Sequence, residues 1–158
     1  MSAPLKSIQQ KTEKTNPGRM ATIRALNSVR EGSVHLCALW QSFNGEHISP
    51  SRLERRIAES YSTVLVIEHE CSLLGFSSGT ARSSILRSRQ FFDLEALYVT
   101  EHLRRHGWGK QLIAATKEVA FGMGCESIHV SVVSTSVVRE FYTSQGFIVY
   151  ADRCILKL

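Results

Sequence analysis

Residues 102–113 read HLRRHGWGKQLI, and the residue types in this run suit the binding of an anion. Arg104 and Arg105 supply guanidinium groups able to reach a phosphate. Gly107 and Gly109 lack the Cβ atoms that would keep a phosphate away from the main chain. An apolar helical pattern follows at once, and the first N–H groups of a helix have no partner within it. Those groups, with the helix dipole, favour negative charge at that end. The run is not G-x-x-x-x-G-K-[S/T], so it is no Walker loop, and not G-x-G-x-x-G, which disfavours a Rossmann dinucleotide site. Two other readings stay open on the residues alone. The arginines could be solvated around a plain turn, or the loop could hold nucleic acid with Trp108 stacked on a base. Trp108 is equally compatible with a place in the core at the base of the helix.

The elements that must position this run follow from periodicity. ATIRAL reads as a short strand, and SVHLCALWQSF as a helix stopped by Asn44-Gly45. SPSRLERRIAESY opens a second helix on Ser49-Pro50. STVLVIEHE and CSLLGFSSGTA read as strands joined by a tight turn, and SSILRSRQ as a polar loop. FFDLEALYVT is the strand that feeds the turn; the helix after it carries Leu112, Ala115, Val119 and Met123 on one stripe. ESIHVSVV is a strand, SVVREFYTSQG a helix ending on Gly146, and FIVYADRCILKL one or two final strands. The order β-α-α-β-β-β-α-β-α-β predicts a mixed α/β sheet in one domain over residues 20–158. Residues 1–19 have few large apolar side chains and end in a polar Asn-Pro-Gly-Arg run, which predicts a disordered extension.

The net charge of +5 arises in the first thirty residues, where Lys6, Lys11, Lys14, Arg19, Arg24 and Arg30 face Glu13 alone. The remainder carries as many basic as acidic residues, so the charge argues weakly for nucleic acid. No apolar run is long enough for a membrane span, and the N-terminus lacks the apolar stretch of a secretory signal; a soluble, cytoplasmic protein is expected. Cys37, Cys71, Cys125 and Cys154 form no C-x-x-C pair and read as small buried hydrophobes. No histidine spacing suggests a metal site, so none is expected.

LYVTEHLRRHGWGKQLI, with its L-Y-V strand and R-x-x-G-x-G turn, resembles the acetyl-coenzyme A signature of the GNAT superfamily of N-acetyltransferases. FYTSQGF, residues 141–147, resembles the second family motif, F-Y-x-x-x-G-F. The likeness is sharpest over 93–147. It departs from the family where N-x-x-A usually precedes F-Y, since Thr135 and Val138 stand there. Valine for alanine would tighten packing or narrow the pantetheine slot.

The resemblance implies a mostly antiparallel sheet of six to seven strands flanked by about four helices, and acetyl-coenzyme A as co-substrate. It implies that Arg104, Arg105, His106, Gly107, Trp108, Gly109 and Lys110 hold the pyrophosphate. The main chain of Leu97, Tyr98 and Val99 would pair with pantetheine, with Thr135 and Tyr142 completing the site. Direct acetyl transfer needs a neutral amine, and an alkylamine with a pKa near ~10.4 costs roughly 4.6 kcal/mol to deprotonate at pH 7. Glu95 is the first candidate base, two residues before Leu97 and on one strand face with Asp93 and Leu97 by the two-residue period. Asp93 is second and His129 a distant third. Tyr142, a phenol protonated at pH 7, is the candidate acid for the departing thiolate, with a plain core aromatic as the alternative. The acceptor would enter past Trp40, Phe43, His47 and the segment around Tyr150.

The expected reaction is acetylation of a small-molecule primary amine. A protein or peptide amine is the alternative acceptor, and a non-catalytic acyl-coenzyme A-binding regulatory domain the alternative role. No nucleic-acid or membrane partner is expected, and a homodimer is compatible with the family.

Overall fold

Val64, Leu65, Val66 and Ile67 form an unbroken apolar run, the pattern of a strand covered on both faces. They lie in β2 (Ser62–His69) of a computed structural model that describes residues 21–26, 33–58, 61–84, 89–132 and 136–149. Alternate side chains of β2 enter different cores: Val64 and Val66 one, Leu65 and Ile67 the other. β1 (Thr22–Ala25) and β3 (Ser72–Ser84) pair antiparallel with β2, β4 (Arg89–Val99) pairs antiparallel with β3, and β5 (Ser127–Val130) pairs parallel with β4. The order is β1-β2-β3-β4-β5.

Helices α1 (Ser33–Asn44) and α2 (Pro50–Ile57) cover one face, burying Leu36, Leu39 and Leu53 against Val64, Val66 and Phe76. Helices α3 (Trp108–Gly122) and α4 (Ser136–Ser144) cover the other. The predicted stripe Leu112, Ala115, Val119 and Met123 is the face α3 buries. Ser49 caps α2 as its sequence suggests, its Oγ accepting from the Arg52 N–H at 3.4 Å.

The described residues contain five strands, fewer than the six to seven expected. Phe147–Val149 lie in no strand, and the rest of the predicted C-terminal strands falls outside the described residues, as does the 1–19 extension. The polar stretch 83–90 is not all loop: β3 runs through Ser84 and β4 starts at Arg89. The tight turn between β2 and β3 holds Glu70 and Cys71, both at positive φ (48° and 64°), as a two-residue hairpin turn requires. Cys71 is therefore exposed, against expectation; Cys37 is half-buried and Cys125 buried. No helix among the described residues is long and apolar enough to cross a membrane.

One irregularity shapes everything downstream. Ser78 opposes Ala96 and Gly79 opposes Leu94, so Glu95 is an extra residue in β4, a β-bulge. Gly79 permits it, because a Cβ there would collide with the Phe92 ring and the Asp93 carbonyl. The bulge reverses the alternation of β4. Phe92 and Leu94 face α3 before it, and Leu97 and Val99 face α3 after it. The two-residue period thus fails here: Glu95 keeps the face of Asp93, and Leu97 points the other way.

Candidate active site

Pairing of β4 with β5 ends at Leu94 opposite Val130, so the next five residues leave the β5 side of the strand open. The Thr100 N–H donates to the Leu74 carbonyl at 3.0 Å, toward β3. By alternation the polar main-chain groups of Leu97 and Val99 point to the open edge. The Arg104 Nε–H reaches one of them, donating to the Val99 carbonyl at 3.0 Å. Tyr98, between them, turns its ring to the opposite face against Phe43 and Phe76, with the Arg104 guanidinium 5.6 Å from its centroid. Arg104 is so fixed at the end of β4.

The chain then curls into α3. Arg105 and Gly107 take positive φ (64° and 87°) on either side of His106, whose φ is negative. Such alternation turns successive N–H groups toward one concave side. The His106 Nδ1 lies 2.8 Å from the Arg104 carbonyl oxygen and braces the curl. Gly107 is the N-cap of α3, and no side chain caps the helix. The first intrahelical bond runs from the Gln111 N–H to the Gly107 carbonyl, so the N–H groups of Trp108, Gly109 and Lys110 remain for a ligand. Space in front of Gly107 is open within 4 Å. These features fit the pyrophosphate of a coenzyme.

The two glycines do different work. Only Gly107 needs its left-handed conformation and faces open space. A Cβ on Gly109 would meet the Phe141 ring at 3.3 Å and Leu97 at 4.0 Å, so this glycine lets the start of α3 settle against α4 and the edge of β4. Trp108 is only 4% exposed among Leu65, Ile67 and Val99. Base stacking is excluded for that ring, and Trp108 contributes to a site through its N–H alone. Arg105, His106 and Lys110 are exposed around the turn.

On the opposite face stand the carboxylates. Arg82 reaches both: its Nε lies 3.1 Å from the Asp93 carboxylate and its terminal nitrogen 3.5 Å from Glu95. The Thr80 hydroxyl donates to Glu95 at 3.3 Å. Asp93 is buried, while the Glu95 side chain is 27% exposed. His129, beside Asp93 in the parallel register, stacks on Phe91 at 4.4 Å and lies 3.2 Å from the Ser127 hydroxyl, the setting of a structural histidine. Glu95 opens onto a narrow, solvent-open cleft between α1, α2 and the sheet, with Trp40, Leu53 and Phe76 in its walls. Trp40 stacks on Phe76 at 5.8 Å and Phe43 packs edge-on against the same ring, so both predicted acceptor-side aromatics are at this face. His47 is exposed, and Tyr150 lies outside the described residues.

Tyr142 on α4 is 8% exposed, packed between Phe141 and Phe147 at 5.2 and 5.3 Å in the core that includes Phe92 and Leu94. Burial pushes its phenol pKa up, which holds the proton further into the alkaline range. Val138 is 40% exposed, so its side chain is only partly packed. Thr135 lies outside the described residues.

Arg82, Thr80 and Ser78 are the residues that sequence reasoning missed. Their alternation in SSGTARSS was a readable sign of one polar strand face, but its register against Glu95 depends on the bulge.

Residues 10–156 match the family model described as an acetyltransferase (GNAT) domain. No curated protein matches the chain. Among solved structures, an aminoglycoside acetyltransferase from an uncultured soil metagenomic sample, in complex with sisomicin, superposes with a TM-score of 0.76 at 18% identity. That match covers 87% of this chain and 96% of the other. Aminoglycoside N-acetyltransferase AAC(6')-Iy in complex with CoA gives 0.73 at 20% identity, covering 89% and 100%. A ribosomal-protein-alanine N-acetyltransferase from Brucella melitensis biovar Abortus 2308 gives 0.73 at 14%, covering 87% and 99%. Similar folds thus serve proteins named for small-molecule and for protein acceptors.

Proposed function

The chain belongs to the GNAT family of acetyltransferases, and from that premise we propose that its acceptor is the primary amine of a small molecule. It is an acyltransferase with acetyl-coenzyme A as co-substrate. The observation that carries the choice of acceptor is the shape of the cleft beside Glu95. It is a narrow recess, open to solvent and bounded by two helices and the sheet, a setting that suits a small molecule better than a peptide segment. Two of the structural neighbours, named for aminoglycosides, also act on small amines.

The coenzyme, when bound, supplies an activated acetyl thioester. The N–H groups of Trp108, Gly109 and Lys110, with Arg104 and Arg105, would hold its pyrophosphate, and the open edge at Leu97 and Val99 its pantetheine arm. Glu95 takes a proton from the acceptor nitrogen, directly or through one water, so that the lone pair can attack. Arg82 and Thr80 fix the orientation of that carboxylate. Tyr142 keeps a proton on its phenol oxygen for the sulfur that leaves as the new C–N bond forms. Asp93 anchors Arg82 and is not itself a base, since its carboxylate is buried against that guanidinium.

The test is release of free thiol from acetyl-coenzyme A with a panel of small primary amines and short peptides. Small amines are expected to give turnover and peptides little. Preferred acetylation of peptide N-termini or lysines would overturn this choice of acceptor.

A further inference from the structure

Resting on the reading of the α3 turn as the coenzyme site and the Glu95 cleft as the acceptor site, we infer that Arg104 and Tyr98 are positioning residues that join the two. Coenzyme at the turn steadies the aromatic wall of the cleft, and the amine binds more tightly for it.

The contacts run unbroken from one site to the other. Arg104 opens the turn, and its Nε–H donates to the Val99 carbonyl at 3.0 Å. That bond uses only one of the guanidinium N–H groups, so the terminal nitrogens can meet an anion at the turn. The same guanidinium caps the Tyr98 ring, 5.6 Å from its centroid, within the range of a cation–π contact. Tyr98 packs at 6.2 Å against both Phe43 of α1 and Phe76 of β3. Phe43 meets Phe76 at 6.0 Å and Trp40 at 6.1 Å, and Trp40 stacks on Phe76 at 5.8 Å. Trp40 and Phe76 are wall residues of the cleft. Rings from α1, β3 and β4 thus form one cluster, with Arg104 at the end nearest the turn.

The side chains at that end are the ones with freedom to lose. Arg104 is exposed, Tyr98 half-buried and Phe43 40% exposed, whereas Phe76 at the base of the cluster is 1% exposed. An anion that fixes the guanidinium removes rotamer freedom from Arg104 and, through it, from Tyr98 and Phe43. The amine then meets a wall that is already ordered, which gives positive cooperativity with no change of fold. By linkage the amine raises coenzyme affinity by the same factor.

The experiment follows the Trp40 indole N–H by NMR while coenzyme A is added, the signal being assigned by its loss in Trp40→Phe and saturation checked by calorimetry. Wild type and Tyr98→Phe, which keeps the ring face, should both show the Trp40 signal shifting at saturation. Tyr98→Leu should abolish the shift, with coenzyme A affinity within about threefold of wild type. Arg104→Lys keeps a positive charge but neither the Nε–H nor the planar face, and should weaken the shift on a fold that an exposed side chain leaves intact. With an amine that is acetylated, Tyr98→Leu should raise its KM about tenfold at unchanged kcat, and adding Arg104→Lys should raise it little further. A Trp40 signal that stays put at saturating coenzyme A, or moves as far in Tyr98→Leu and Arg104→Lys as in wild type, overturns the inference and leaves the coenzyme reading standing. Failure of coenzyme A to bind the wild-type protein sinks both.

Discussion

The two sides of β4 are built from different material. Toward α3 the candidate coenzyme site is almost entirely main chain: the open edge at Leu97 and Val99 and three uncapped N–H groups behind Gly107. Toward α1 and α2 the candidate acceptor cleft is side chains, with Glu95, Arg82 and Thr80 beside it and aromatics in its wall. The bulge at Glu95 makes both possible in one strand, since it sends Glu95 to the cleft and Leu97 to the coenzyme side. A main-chain site tolerates many side chains, because it uses groups that every residue carries. A side-chain site can change its ligand by single substitutions.

That contrast can be broken from either side. The largest effect is expected at the proposed proton donor. Tyr142→Phe should lower turnover about 100-fold with coenzyme A affinity unchanged, the usual scale for loss of a general acid. The raised phenol pKa places loss of that donor above pH 10.0, so wild-type kcat should show no alkaline fall below it. Unchanged turnover in the variant would make Tyr142 a core aromatic only.

A smaller effect is expected at Gly107. Valine there must adopt φ near 87°, a strain of about 1–3 kcal/mol, and relaxing it turns the N–H groups away. Calorimetry should show coenzyme A affinity lowered at least ~10-fold, with thermal stability little changed. Gly109→Ala, at a position with no positive φ and 3.3 Å from the Phe141 ring, should leave coenzyme A affinity within about twofold of wild type.

The smallest effect lies far from both sites. Arg24 on β1 pairs with Glu68 on β2, and its hydrogen bond holds the Glu68 pKa below the ordinary 4.5. A lowered carboxylate pKa stabilises the fold above the unfolded-state value, and that contribution fades as pH falls below about 4.5. Both side chains are nearly a third exposed, so Glu68→Gln should cost no more than about 1 kcal/mol in urea unfolding at pH 7, and less at pH 3.

The strand, turn and helix start of the candidate coenzyme side were legible in the sequence because they are contiguous. A strand, an Arg-x-x-Gly-x-Gly turn and a helix start are local features with local causes. The acceptor side was only half legible. Glu95, Asp93, Trp40 and Phe43 were named from the chain, but Arg82, Thr80 and Ser78 come from another strand whose register no local pattern reveals. The period-two argument failed at Glu95 for the same reason, because a bulge depends on the glycine that opposes it across the sheet. Trp108 was ambiguous in sequence, since both a core position and a stacking role suit an indole at a helix start.

The division of labour along β4 is tested most directly by Glu95→Gln, assayed for kcat with the best amine and for coenzyme A affinity in parallel. The expected result is a fall in kcat of about 100-fold, relieved as pH rises and the amine loses its proton unaided, with coenzyme A affinity within about twofold of wild type. Unchanged kcat, or coenzyme A affinity falling in step with turnover, would contradict the account.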